Sequence, residues 1–240
     1  MLNKIRSLLK EFRNRAESIS QQNNELIWAN VFHDTIKDRE WLKNLSISPG
    51  RWAADYSALY VLTKILSDYK PKRIIEFGLG ESSKIISAFL EHDLKDSEHL
   101  IIEQDVNWST VFKDRFKLSE KSEILILPLE TKIVKGFSVN SYTKIEEKVK
   151  CVFDLYFVDG PFGSPNFSRY DICRIANQLT NQNEFIIIID DYNRNGEMET
   201  ANGLMSQLTQ KGIEFYSGIY TGTKAQIVIA TKKYRFATSL

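Results

Sequence analysis

Carboxylates and glycines in this chain stand where short apolar runs end, the places where a doubly wound protein does its chemistry. Arg73 to Ser83 reads Arg-Ile-Ile-Glu-Phe-Gly-Leu-Gly-Glu-Ser-Ser: an apolar run carrying Glu76, then Gly78 and Gly80, then a helix opening at Ser82 and Ser83. Glycines at a strand-to-helix turn let the main chain approach a bound nucleotide, and a helix start offers unpaired N–H groups. A carboxylate in that turn suits a ligand with positive charge or hydroxyls better than a bare pyrophosphate, which points to an adenosyl sulfonium rather than a nicotinamide dinucleotide. Glu103 ends the next apolar run, where an acid holds ribose hydroxyls. Its carboxylate can accept from both hydroxyls, with Gln104 and Asp105 as neighbouring candidates. Trp108 opens the following helix and either flanks an adenine or belongs to the core.

A second set of acids follows two later runs, as Val158-Asp159-Gly160-Pro161 and Asp190-Asp191-Tyr192-Asn193-Arg194. Adjacent parallel strands lie about 5 Å apart, so Asp159 and Asp190 are expected to face one site. Clustered carboxylates repel unless a proton or a cation sits between them. One reading of Asp159, Asp190 and Asp191 is therefore a site for Mg²⁺ or Mn²⁺. The others are Asp159 as a metal-free general base, and capping acids without chemistry. Arg169 and Arg194 follow these acids and either clamp a substrate or pair with Asp171 and Glu197. His33, His92 and His99 show no metal-ligand spacing and are read as surface or helix-end residues.

The elements that must position these groups follow from periodicity. Apolar runs at 73–77, 100–103, 124–127, 155–158 and 185–189 are apolar on both faces, as strands of a helix-covered parallel sheet are. Amphipathic helices are expected over 82–91, 106–117, 167–179 and 197–211. The stretch 128–150 reads as a loop with a short helix. Residues 213–220 and 224–231, joined by Thr221-Gly222-Thr223, read as an antiparallel hairpin. The expected fold is α/β: a doubly wound, mainly parallel seven-stranded sheet ending in that hairpin. Residues 2–20, 25–45 and 52–66 read as helices, giving an N-terminal helical extension over 1–70 ahead of a sheet domain over 71–240.

These motifs resemble the class I S-adenosylmethionine-dependent methyltransferases. Glu76-Phe77-Gly78-Leu79-Gly80-Glu81-Ser82 is similar to their first motif, with Ser82 where a third glycine can stand. The Val-Asp-Gly-Pro and Asp-Asp-x-x-Arg signatures resemble a subgroup associated with glycan modification. The resemblance, over about residues 50–232, implies S-adenosylmethionine as cofactor. It places Glu76 near the methionine amino group, and Gly78, Gly80, Ser82, Ser83, Glu103, Gln104, Trp108 and Asp159 around the cofactor. It further implies Asp159, Asp190 and Arg194 as catalytic residues, and Arg169 and Arg194 as contacts to a sugar or other small polar acceptor. Catechol-type members hold a divalent cation between acids at these two strand ends.

Composition narrows the partners. A net charge of +1 over 240 residues gives no basic field for nucleic acid. No apolar run approaches the ~20 residues of a membrane span, and the start lacks a secretory signal pattern, so a cytoplasmic protein is expected. Cys151 and Cys173 are expected as two buried thiols. Apolar Leu2, Ile5, Leu8, Leu9, Phe12, Ala16 and Ile19 make a stripe that packs on the protein's own domain, on a second subunit in a homodimer, or on a membrane surface. A NAD(P)-dependent oxidoreductase is the alternative enzyme, disfavoured by Ser82 and by the terminal hairpin. A non-catalytic binding protein of the same fold is the other alternative.

Overall fold

The computed structural model describes residues 2–50 and 52–240. The chain opens with one uninterrupted helix, α1 (Leu2–Ile36), followed by the short α2 (Glu40–Lys43). The sequence suggested a break near residue 20; Ser20-Gln21-Gln22-Asn23-Asn24 is polar but holds no proline or glycine to stop a helix. Helix α3 (Tyr56–Tyr69) begins later than expected, capped by Asp55, whose Oδ1 accepts from the Ala58 N–H at 3.0 Å.

The alternation then runs β1 (Arg73–Phe77), α4 (Glu81–His92), β2 (Glu98–Glu103), α5 (Val106–Arg115) and β3 (Ser122–Ile126). In place of the expected loop comes a two-stranded antiparallel ribbon, β4 (Leu129–Val134) and β5 (Phe137–Tyr142), and then the short α6 (Ile145–Lys148). Next are β6 (Leu155–Val158), α7 (Asp171–Ile175) with a 3₁₀ turn to Gln178, β7 (Ile186–Ile189) and α8 (Asn195–Gln210). The hairpin β8 (Phe215–Thr221) and β9 (Ala225–Thr231) closes the sheet, and a 3₁₀ segment spans Lys232–Thr238. The main sheet has seven strands in the order β3-β2-β1-β6-β7-β9-β8, parallel except for β9, which runs antiparallel to both neighbours. This is the expected fold class.

Alternate residues of the central strands feed two cores, as period-2 geometry requires. Ile74, Leu155, Phe157, Ile186, Ile188 and Val228 pack under α3 and α4, joined by Phe32 and Ile36 of α1. Ile75, Phe77, Tyr156, Val158, Ile187 and Ile189 pack under α7 and α8. Helix α3, grouped by sequence with the extension, thus lies within the core of the sheet. Cys173 is buried, but Cys151 is exposed, contrary to expectation. No described helix is long and apolar enough to cross a membrane.

Candidate active site

The sheet reverses its winding between β1 and β6, and such switch points open a crevice at the carboxyl ends of the strands. Here the chain comes together tightly. Gly78 has φ +95°, and a Cβ on it would lie 3.2 Å from the Asp159 carbonyl oxygen. A Cβ on Gly160 would lie 2.6 Å from the Tyr142 hydroxyl and 2.9 Å from the Gly78 nitrogen. Only glycine lets the two strand ends meet this closely. The cavity they flank measures about 520 Å³; Leu79 and Gly80, Glu103 to Asp105, Trp108, Asp159 to Gly163, and Trp52 to Ala54 line much of it.

Glu103 reaches the cavity under tight control. Its Oε2 accepts from the Leu79 N–H at 2.9 Å, and its Oε1 accepts from the N–H groups of Gln104 and Asp105, both at 2.8 Å. Burial raises its carboxyl above the usual range, while these backbone donors pull it down. A carboxylate offers about four acceptor sites, so roughly one, on Oε2, is left for a ligand. Gln104 turns a buried Oε1 that finds no partner among the described residues, and Trp108 is fixed on the cavity wall by donating from Nε1 to the Leu79 carbonyl at 2.7 Å.

Glu76 lies behind the glycine turn, off the cavity wall. It shares the β1 face that packs under α4, is fully buried, and is not part of the cavity lining. Its carboxylate accepts from the hydroxyls of Ser82 and Ser83, the latter at 2.7 Å, and its Oε2 lies 3.1 Å from His99 Nε2. Glu76 thus ties the start of α4 to the sheet. Ser83 is drawn into this anchor, where its Oγ also accepts from the Gly80 N–H, while Ser82 remains at the cavity edge. His99, read as a surface residue, is buried on β2 beside Glu76.

The second acid cluster does assemble: Asp159, Asp190 and Asp191 each bring one carboxylate oxygen within 4.8 Å of the others. The cations that hold them together come from the chain itself. Arg169 is buried and donates to Asp191 Oδ2 at 2.7 Å and to the Asp190 carbonyl at 3.0 Å, and its Nη2 lies 3.0 Å from Asp159 Oδ1. Lys224 Nζ donates to the Ala53 carbonyl at 3.0 Å and lies 3.4 Å from carboxylate oxygens of both Asp190 and Asp191. Burial pulls the Lys224 ammonium down, but Asp190, Asp159 and Asp191 outweigh it and keep it charged. Asp190 is wholly buried and outside the cavity lining; Gln226 Nε2 donates to its Oδ1 at 3.0 Å and to Asp55 Oδ1 at 3.1 Å.

The chain supplies counter-charges to this cluster from its own side chains. Two protein cations already lie among the three carboxylates, and each oxygen of Asp190 already has one partner, Gln226 on Oδ1 and Lys224 on Oδ2. Arg169 was expected either to clamp a substrate or to pair with Asp171 or Glu197, and its Nε does lie 3.7 Å from Glu197 Oε1; its pairing with Asp159 and Asp191 was not visible in sequence, nor was that of Lys224, which read as the first residue of a strand. The expected helix at 167–179 begins only at Asp171, because Phe167 and Arg169 hold left-handed φ values of +45° and +59°. Asp191 does the same, at +58°. Non-glycine residues in that region cost on the order of 1–3 kcal/mol each and concentrate at functional sites.

Asp159 and Asp191 both line the cavity, and of the two Asp159 is the more open, with 17% of its side chain exposed against 3%. Burial, and after it the charge of Asp190, pushes its carboxyl up to about 8 against the pull of Arg169 and Lys224. Arg194 remains half exposed at the mouth, with Nη1 3.0 Å from Asp191 Oδ2. The arrangement can take a proton inside a nearly dry wall while leaving room beside it for a nucleoside.

No protein-family model matches the sequence, and no curated protein matches it. Solved structures do share the architecture. A methyltransferase of Podospora anserina bound to S-adenosylhomocysteine superposes with a TM-score of 0.50 at 14% identity, covering 92% of this chain and 96% of its own. The O-methyltransferase TomG of Streptomyces achromogenes, in complex with S-adenosylmethionine, gives 0.52 at 12% identity over 83% and 88%. The O-methyltransferase of Bacillus cereus, in complex with S-adenosylhomocysteine, gives 0.50 at 12% identity over 85% and 91%. At these identities the likeness is one of fold: the chain has the doubly wound sheet with a terminal antiparallel hairpin on which these methyltransferases are built.

Proposed function

We propose that the chain is an S-adenosylmethionine-dependent methyltransferase acting on a hydroxyl of a sugar or other small polar acceptor. The observation that carries this reading is the pairing, in one cavity, of a glycine turn backed by the Glu103 carboxylate with a carboxyl whose affinity for a proton is raised. Gly78 to Gly80 give the nucleoside a wall of main chain, Glu103 accepts from a ribose hydroxyl, and the Gln104 oxygen offers an acceptor deeper in the same wall. When bound, S-adenosylmethionine would supply a methyl group already activated by its sulfonium. What remains for the protein is to orient the acceptor, exclude water and take the acceptor's proton.

Asp159 takes that proton. A carboxylate that ionises near pH 8 is a far stronger base than an ordinary aspartate. Arg169 holds its Oδ1 and fixes its direction, as a positioning residue rather than a substrate clamp. Arg194, half exposed and paired with Asp191 at the mouth, meets the acceptor there. With Glu103, Asp105, Asp159 and Asp191 in the wall, a neutral hydroxyl-rich acceptor suits the cavity better than a uronic acid. Trp52 and Phe162 at its edge, exposed by 91% and 62%, offer ring faces to such an acceptor.

Calorimetry with S-adenosylhomocysteine against NADH tests the reading: the first is expected to bind and the second not. Tight NADH binding with no response to the sulfur compound would refute it. Glu103→Gln is expected to weaken S-adenosylhomocysteine by about 10- to 150-fold, the worth of one charge-assisted hydrogen bond of about 1.5–3 kcal/mol. The loss should be much smaller for an analogue lacking the ribose hydroxyls. Because the acids are already neutralised from within, turnover is expected to survive EDTA, and Mg²⁺ to leave the thermal midpoint unmoved. A midpoint that climbs with Mg²⁺ would return the cluster to the metal reading.

A further inference from the structure

We infer that α1 pairs with α1 of a second copy of this chain as a parallel two-stranded coiled coil. A 3-4 repeat runs through Leu2, Ile5, Leu9, Phe12, Ala16, Ile19, Asn23 and Leu26, apolar at every position but Asn23. Asn30 and His33 carry the same spacing on in polar residues, where the helix meets the domain. More than three heptads of apolar spacing place one stripe on one side of a helix, the pattern of a coiled-coil seam. The stripe is exposed from Ile5 to His33, with Leu9 at 64%, Phe12 at 74%, Ile19 at 58% and Leu26 at 64%.

The exposure persists where α1 is docked. Trp28, Val31, Phe32 and Ile36 pack against the domain, and Trp28 Nε1 donates to the Thr221 carbonyl at 2.9 Å. These residues occupy the face away from the seam, so the domain holds α1 by its back and leaves the stripe uncovered. A second copy therefore fits without displacing either domain.

Two features choose this occupant and its direction. In a parallel pair in register, Asn23 meets the partner's Asn23 and Asn30 meets the partner's Asn30, and each amide can bond its counterpart. In an antiparallel pair Asn23 would face an isoleucine or a phenylalanine and be desolvated without a partner. Flanking positions across a parallel seam bring Leu8 to the partner's Arg13, and Arg15 to the partner's Ser20, with no like charges opposed. The result is a closed two-fold assembly with both cavities at the same end of the coil.

The proposal is tested on the full chain by sedimentation at micromolar concentration, where the mass of two chains is expected. Phe12→Glu combined with Ile19→Glu should reduce it to the mass of one chain, and Ser18→Glu, off the seam, should not. Both seam positions are exposed within a single chain, so the core is left intact. In a Cys151→Ser background, Ile19→Cys should give an oxidative cross-link between the two copies, as in-register parallel helices require. A one-chain mass for the unmodified protein, a dimer indifferent to the two glutamates, or no cross-link would overturn the proposal. So would a one-chain species that binds vesicles of phosphatidylglycerol and phosphatidylcholine through Lys4, Arg6, Lys10, Arg13 and Arg15.

Discussion

Asp159→Asn is expected to cut kcat by about 10²- to 10⁴-fold, the usual contribution of a positioned base, while S-adenosylhomocysteine binds within a few-fold of normal. Asparagine keeps the shape and the approach to Arg169 but cannot take a proton. The pH profile should separate this role from a simple disturbance of the site. With the carboxyl pushed up to about 8, turnover in the unmodified protein should climb as pH rises through that value, because only the ionised form accepts a proton. The variant's residual rate should lack that step. Stability moves in the opposite sense. The folded-state value lies above the ordinary 3.8, so the folded protein binds this proton more tightly than the unfolded chain. Its stabilising effect is present below about pH 4 and is lost as pH rises towards 8. The asparagine variant lacks that slope, and thermal midpoints of both proteins between about pH 5 and 9 would show it. If affinity for S-adenosylhomocysteine falls as far as turnover, Asp159 belongs to cofactor binding instead.

Arg169→Met should be the most destabilising single change near the cavity. Removing one partner of a buried ion pair costs about 3–5 kcal/mol, or roughly 6–20 °C in the midpoint for a chain of this size. Arg169 holds two carboxylates and two carbonyls at once, so the upper part of that range is expected. The methionine fills similar space, which keeps packing loss small. A charge effect and a packing effect part company with pH. The Asp159 carboxyl, pushed up to about 8 even beside the guanidinium, rises further without it, so the deficit should grow as pH climbs through about 8, where only the unmodified protein stabilises the ionised acid. A deficit constant over the whole range from about pH 5 to 9 would mean that Arg169 serves as a spacer, and the account of the cluster as an internally neutralised network would fail.

What could be read before the structure divides along physical lines. The parallel strands were legible because Ile74-Ile75, Tyr156-Phe157 and Ile186 to Ile189 are buried on both faces, leaving an unbroken apolar signature. The β4–β5 ribbon was not, because it pairs only with itself and its alternation of Leu129, Thr131 and Ile133 with charged residues is that of a half-exposed surface. The glycine turn and the acids at strand ends were legible because their positions follow from topology. Which way each acid turns was not. Glu76 is the last residue but one of β1 and Glu103 the last of β2, both beside the same turn, yet the first is bonded to Ser82 and Ser83 beneath α4 and only the second lines the cavity. The partners of the acids come from distant segments: Lys224 lies 34 positions from Asp190, and Gln226 lies 171 from Asp55. No local pattern in the chain announces such pairs.

Strand β9 sits between β7 and β8 and brings Lys224 and Gln226 to Asp190. It is also the last of the sheet's strands to leave the ribosome. A nascent chain that has released everything up to Gly222 already has the glycine turn and the three aspartates, but no counter-ion from β9 and no amide for Asp190. Its acids repel, and its sheet has an open edge at β7. The charge network around Asp190 is therefore complete only once the closing hairpin is in place, so a chain that stops before Lys224 lacks part of that network and not merely an edge strand.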